Sequence, residues 1–152
     1  MKRILVTLFL STIIFTMKGI CQAAVNPDDF HGATAEKSEY KVVYQLDNDD
    51  DKVIKTTIRN IQNALEDPRL KGKLRVELVV HGAGVAAFMK STPYDEQFKR
   101  LQSEGVLLAQ CLNTMREKNL TKDQLLSYIS FVPSGTGELI IRQQQGWAYV
   151  HP

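Results

Sequence analysis

Cys111 stands in the run GVLLAQCLNT, where an apolar strand predicted over residues 106–110 gives way to a short helix predicted over 112–118. A thiol placed just before a helix meets free backbone amides and the positive end of the helix dipole. Both lower its pKa and favour the thiolate, which attacks sulfur or carbonyl centres. The competing reading is a small buried hydrophobe at a strand end. His81 ends another predicted strand, residues 74–80 (LRVELVV), so it could lie across the sheet edge from Cys111 and hold or shuttle a proton. It could equally bond a loop carbonyl. A cysteine and a histidine alone do not make a hydrolase, and no third orienting group stands out in the sequence.

Two further groups of residues fall at predicted strand ends. Asn113 and Thr114 follow the thiol and offer local hydrogen-bond donors. Ser134-Gly135-Thr136-Gly137 precedes a helix predicted over 138–145. Backbone amides there could cradle an anion, while the same residues also make an ordinary helix cap. His81-Gly82-Ala83-Gly84 is no dinucleotide fingerprint, lacking the third glycine and the downstream acid. The acidic run from Asp47 to Asp51 superficially suggests calcium. Lys52 stands where that loop needs glycine and Ile58 where it needs its final glutamate. His31, His81 and His151 lack ligand spacing, so no metal or cofactor is indicated.

Positioning these residues requires strands that alternate with helices. Residues 41–46 (KVVYQL) read as a first strand. Val53, Ile54, Ile58, Ile61 and Leu65 then fall on one helical face, and Asp67-Pro68 stops that helix. A helix over 93–103 ends at Gly105. Thr121 to Gln124 has the spacing of a capping box. Residues 128–132 and 147–151 complete the strands. Short connections between alternating elements predict a three-layer α/β/α domain with a mainly parallel sheet of about five strands. Nearly continuous apolar runs in the second to fourth strands fit helices on both faces. In such a sheet ligands collect beyond the carboxyl ends of the strands, where all the candidate residues lie. Trp147 and Tyr149 alternate with Ala148 and Val150, giving an aromatic face that fills the core or makes a subunit contact.

The amino terminus reads as a cleavable export signal, residues 1–23: Lys2 and Arg3, an apolar stretch from Ile4 to Phe15, then Cys21-Gln22-Ala23. That stretch is too short to span a membrane, which needs about 20 apolar residues. Cleavage near Ala23 predicts a periplasmic or secreted protein with no membrane attachment. It also removes Lys2, Arg3 and Lys18 from a precursor of formal charge +2, so the remainder is slightly acidic. Nothing in that balance attracts nucleic acid. Residues 24–39 read as a flexible leader, and 40–152 as a single domain. Of the two cysteines only Cys111 remains after cleavage, so no internal disulfide can form.

The segments KVVYQLDN, IRNIQNAL, VELVVHGAGV, EGVLLAQCLNT and FVPSGTGELIIRQQQGWAYVHP, in that order, resemble the DsrE/DsrF-like family, particularly its small YchN-like members. The resemblance covers about residues 41–152. It implies a three-layer α/β/α fold assembled as a homotrimer or hexamer. In the family's sulfur-relay members a cysteine after a central strand carries sulfur as a persulfide, and Cys111 matches it. His81 matches a histidine after the second strand. The family's best understood members are cytoplasmic, whereas this chain carries an export signal. The expected function is therefore an exported, oligomeric persulfide carrier or sulfurtransferase-like protein using Cys111. Its partner would be a donor or acceptor protein or a small sulfur compound. The alternative is a non-catalytic small-ligand-binding or assembly protein of the same fold, with Cys111 merely packed and His81 and Ser134 positioning the ligand.

Overall fold

The structure is a computed structural model that describes residues 26–152. The predicted export signal lies outside the described residues. The chain divides into two units, 1–33 and 34–152. In the first, Pro27–Asp29 forms a 3-10 turn capped by the Asn26 side chain.

The second unit is built from β1 (Tyr40–Leu46), α1 (Asp51–Glu66), β2 (Leu74–Val80), a 3-10 segment (Gly82–Phe88), α2 (Asp95–Ser103), β3 (Leu107–Cys111), α3 (Leu112–Glu117), a 3-10 turn (Lys122–Gln124), β4 (Ser130–Val132), α4 (Gly135–Gln144) and β5 (Ala148–Val150). The five described strands form one sheet in the order β4-β3-β2-β1-β5, with every pairing parallel. The acidic run has a local explanation: the Asp50 carboxylate caps α1 by accepting from the backbone N–H of Lys52 and Val53 at 2.8 and 3.3 Å.

Topology decides how each face is covered. The chain steps from β1 through β4 in one direction, and right-handed crossovers place the intervening helices on one side. The return from β4 to β5, at the far edge, reverses direction and puts α4 on the other side. The first face holds the main core, with Leu46, Leu78 and Val80 of the sheet packed under Ile54, Ile58 and Ile61 of α1, Phe98 and Leu101 of α2, and Met115 of α3. Phe88 and Phe98 meet edge to face there, with ring centroids 5.1 Å apart. The second face has only a small apolar cluster: Val43, Val79 and Ala109 under Leu139 and Trp147. The three layers expected from sequence are present, but among the described residues the third layer is a single helix. Leu107 and Tyr149 remain about half exposed on the sheet, as do Ile140 and Ile141 on α4.

Several boundaries differ from the sequence reading, and α4 begins at Gly135 rather than residue 138, with Ser134 as its cap. Cys111 is the last residue of β3, paired with Val132, because the ladder continues one residue further than its apolar run. The Thr121–Gln124 capping box does form, with Thr121 N donating to Gln124 Oε1 at 2.8 Å, yet it leads into one 3-10 turn. Leu125 and Leu126 are drawn into the core, where Leu126 N donates to the Phe88 carbonyl at 2.9 Å, and that extended pairing stops the helix. β4 begins at Ser130 rather than residue 128, since the Tyr128 hydroxyl is held by Asp95 outside the sheet.

Candidate functional site

Where β3 and β4 end, the following helices depart to opposite faces of the sheet: α3 packs on the main core and α4 on the other side. Diverging connections open a crevice at the carboxyl edge of an open parallel sheet. Cys111 lies in that crevice, capping the amino end of α3 with φ −71° and ψ 121°.

Its surroundings decide its chemistry. The residue is only 4 % exposed, and burial pushes the thiol pKa up. Against burial stand the neighbouring backbone N–H groups of Thr114, Gly135 and Asn113 and the Thr114 hydroxyl, which favour the charged sulfur although Cys111 makes no side-chain capping hydrogen bond to α3. Together they outweigh it and hold the thiol below its ordinary range. The donors come from both diverging helices, α3 supplying Asn113 and Thr114 and α4 supplying Gly135.

Thr114 is the linchpin of this arrangement. Its Oγ1 accepts the Gly82 N–H at 2.9 Å, which leaves the hydroxyl proton free to donate. The same bond ties the loop after β2 to α3. His81, at the head of that loop, packs against Gly135: a Cβ on Gly135 would come within 3.0 Å of His81 Cβ and 3.1 Å of its ring. Only glycine lets the start of α4 approach so closely to both His81 and the sulfur. A second close approach fixes the loop from below, since a Cβ on Gly84 would lie 2.3 Å from the Leu46 carbonyl oxygen. His81 Nε2 is buried and has no hydrogen-bond partner among the described residues.

All six residues singled out from sequence, Cys111, His81, Asn113, Thr114, Ser134 and Gly135, line one polar cavity of about 180 Å³. Gly82, Glu117 and Thr136 complete its lining. Two of the six have their side chains engaged elsewhere. Ser134 Oγ caps α4, accepting from Gly137 N at 3.2 Å. The Asn113 side-chain oxygen accepts from the Arg116 guanidinium. Both therefore serve the site through backbone position rather than through free side chains.

Sequence reasoning missed two polar groupings. Beside His81 on the same edge, Asp47 accepts from the Gln45 amide at 2.9 Å and pairs with His151 Nε2 at 3.1 Å. Burial pushes its carboxyl up, but hydrogen bonds from His151 and Gln45 and the charges of His151 and His81 bring it below the ordinary value. The only signal in the sequence was that Asp47 follows β1 and His151 follows β5. The second grouping lies under α4, where Glu77 of β2 is 2 % exposed and faces Arg142 at 2.5 Å. Glu138 also pairs with Arg142, at 2.9 Å, and the guanidinium carbon sits 4.5 Å from the Trp147 ring centroid. Among the described residues no group of three or more His, Cys, Asp or Glu side chains is arranged to hold a metal ion.

A sequence model of the DsrE/DsrF-like family matches residues 10–152. No curated protein matches the sequence. Among solved structures, the chain is similar to the protein of unknown function MTH1491 from Methanobacterium thermoautotrophicum. The two are 32 % identical with a TM-score of 0.71, over 75 % of this chain and 100 % of that one. The conserved protein of unknown function BT1422 from Bacteroides thetaiotaomicron shares the fold at 13 % identity and a TM-score of 0.59, over 80 % of this chain and 100 % of that one. The ychN protein from E. coli does so at 13 % identity and a TM-score of 0.55, over 76 % and 100 %.

Proposed function

This chain belongs to the DsrE/DsrF-like family, associated with sulfur relay in general, and we propose that it is an exported sulfur-handling protein in which Cys111 accepts sulfur as a persulfide. The observation that carries the reading is the placement of Cys111 at the amino end of α3, lining one polar cavity with His81, Thr114 and Gly135, where neighbouring donors hold its thiol below the ordinary range. That donor set stabilises an anion at sulfur, which is the nucleophile the chemistry needs.

In the step itself, the thiolate attacks the sulfane sulfur of a donor. A bond forms from Cys111 Sγ to that sulfur, and the bond joining it to the rest of the donor breaks. The electron pair leaves with the donor as thiolate or sulfite, so no outside oxidant or reductant is needed. The same donor set then holds the terminal charge of the persulfide. His81 contributes a buried ring nitrogen, Nε2, that has no partner among the described residues, and its role is to take the thiol proton or supply one to the leaving group. The unit transferred is one sulfur atom, a carrier or transferase step rather than hydrolysis.

Export to the periplasm or beyond rests on the charged and apolar pattern of the first 23 residues. Assembly as a homotrimer or hexamer is supported by the thinly covered second face. Leu107, Tyr149, Ile140 and Ile141 expose between 42 % and 56 % of their surface there. Apolar area left on one face of a small domain is commonly hidden against another subunit. A subunit contact near the aromatic C-terminal segment accounts for that exposure.

A second reading has its own observation: with Cys111 only 4 % exposed, the thiol could be packing material beside a small-ligand pocket. Intact-mass measurement after incubation with polysulfide or thiosulfate separates the two. The carrier reading expects one added sulfur on the wild type and none on Cys111→Ser. Equal addition to both proteins, or none to either, sinks it and favours the binding protein.

A further inference from the structure

Next to the cysteine cavity lies a larger one, of about 490 Å³, with an apolar floor of Leu112, Met115, Leu120 and Pro133. Its volume falls within the range of small-molecule sites, roughly 300–1,000 Å³. Arg116 and Lys122 line it as well, and Asn113 lines both cavities, so the two adjoin at that residue of α3. Neither cation has a carboxylate within ion-pair distance among the described residues. Arg116 bonds only the neutral Asn113 amide, and the Lys122 ammonium lies 4.5 Å from the Phe131 ring centroid. On a chain with almost as many acidic as basic residues, two unpaired cations beside an apolar trough form a selective feature.

We propose that this groove holds the body of a small organic persulfide that has an apolar chain ending in a carboxylate, and that it delivers the sulfur end to Cys111. The inference rests on the persulfide reading of Cys111 and names its donor class. The chain lies on Leu112, Met115 and Leu120, the carboxylate meets Arg116 and Lys122, and the sulfur end passes Asn113. Cys111 thiolate then bonds to the outer sulfur of R–S–SH, the donor's S–S bond breaks, and R–S⁻ departs with the electron pair. Cys111 keeps the transferred sulfur and its proton, and charge is conserved. An inorganic polysulfide has no apolar body and gains nothing from the groove.

The test compares the persulfides of mercaptooctanoic acid and of mercaptooctanol, following sulfur addition to Cys111 by intact mass. Two exposed ion pairs give about a tenfold faster reaction with the acid. The Arg116→Gln/Lys122→Gln double variant removes that preference. Equal rates on wild type, or a preference that survives the double variant, overturn the groove. A binding arm separates this from the chemistry: octanoate is added to Cys111→Ser protein while the methyl signal of Met115 is followed by NMR. Saturable movement that weakens in the double variant is expected. No movement overturns the groove even if polysulfide loads Cys111. Octanoate binding without sulfur uptake by wild type from any donor overturns the persulfide reading, and the donor assignment with it.

Discussion

Cys111 and Glu77 are both buried, both titratable and both on strands of the same sheet, yet their environments drive them in opposite directions. Burial pushes each pKa up. At Cys111 the neighbouring N–H groups of Thr114, Gly135 and Asn113 and the Thr114 hydroxyl reverse the effect. At Glu77 burial dominates despite the charge of Arg142, and the neighbouring Glu138 carboxylate adds to the rise. Arg142 Nε approaches Glu77 Oε2 at 2.5 Å but out of hydrogen-bond alignment, so both atoms stay unsatisfied as donor and acceptor. Converging, aligned donors stabilise a buried anion. A nearby opposite charge alone does not offset desolvation. The first site is built to keep charge and the second to bury it at a cost.

The largest effect is expected where that buried charge loses its partner. Arg142→Met leaves Glu77 facing an apolar neighbour and removes the stacking on Trp147, at a cost of about 3 kcal/mol or more. Urea denaturation measures this, and adding Glu77→Gln to the same protein recovers most of the loss. If the double variant is no better than the single, the penalty lies in packing rather than in the unpaired carboxylate.

Gly135→Ala comes next. A methyl group 3.0 Å from His81 Cβ overpacks a closed site, and about 1–3 kcal/mol of stability is lost. Pushing α4 back also withdraws one N–H from sulfur, so Cys111 becomes less acidic. A stability loss with an unchanged thiol pKa would show that Gly135 is purely a packing residue.

Thr114→Val is smaller in energy and more specific. It removes the Thr114 hydroxyl from beside the sulfur and strands the Gly82 N–H, and the Cys111 pKa rises. Thr114→Ser retains the hydroxyl and restores the lower value. Alkylation rate against pH reads the shift directly.

The smallest effects are two slopes of opposite sign. The Glu77 pKa is raised by folding, so stability is greatest below the ordinary carboxyl range and declines as pH rises through the raised value. Cys111 is lowered by folding, so its contribution is complete above the ordinary thiol range and is lost as pH falls through the lowered value. Glu77→Gln is expected to flatten the first slope and Cys111→Ser the second, each leaving the other in place, as read from denaturation midpoints at several pH values.

The sheet and its helices were legible because alternation and helical spacing are local properties; β2 falls on the same residues, Leu74–Val80, that its apolar run marks out. The site was legible for a topological reason: a parallel sheet gathers its turns at one edge, so Cys111, His81 and Ser134 could be placed together before any distance was known. What escaped the sequence depends on the path of α4. Nothing local says that Gly135 N–H points at the Cys111 sulfur, or that Arg142 of α4 lands on Glu77 of β2. A glutamate inside LRVELVV carries no mark of being buried by a helix more than fifty residues later. The family resemblance was likewise legible in segment order, and the match over residues 10–152 bears it out.

The central claim is that its surroundings lower the Cys111 thiol pKa, and the most direct test is its alkylation by iodoacetamide in the native protein across pH. The rate is expected to follow a single ionisation below the ordinary thiol range, and unfolding in urea is expected to return that ionisation to the ordinary range. A thiol that ionises at or above the ordinary range while folded, or stays unreactive until the protein unfolds, contradicts the account.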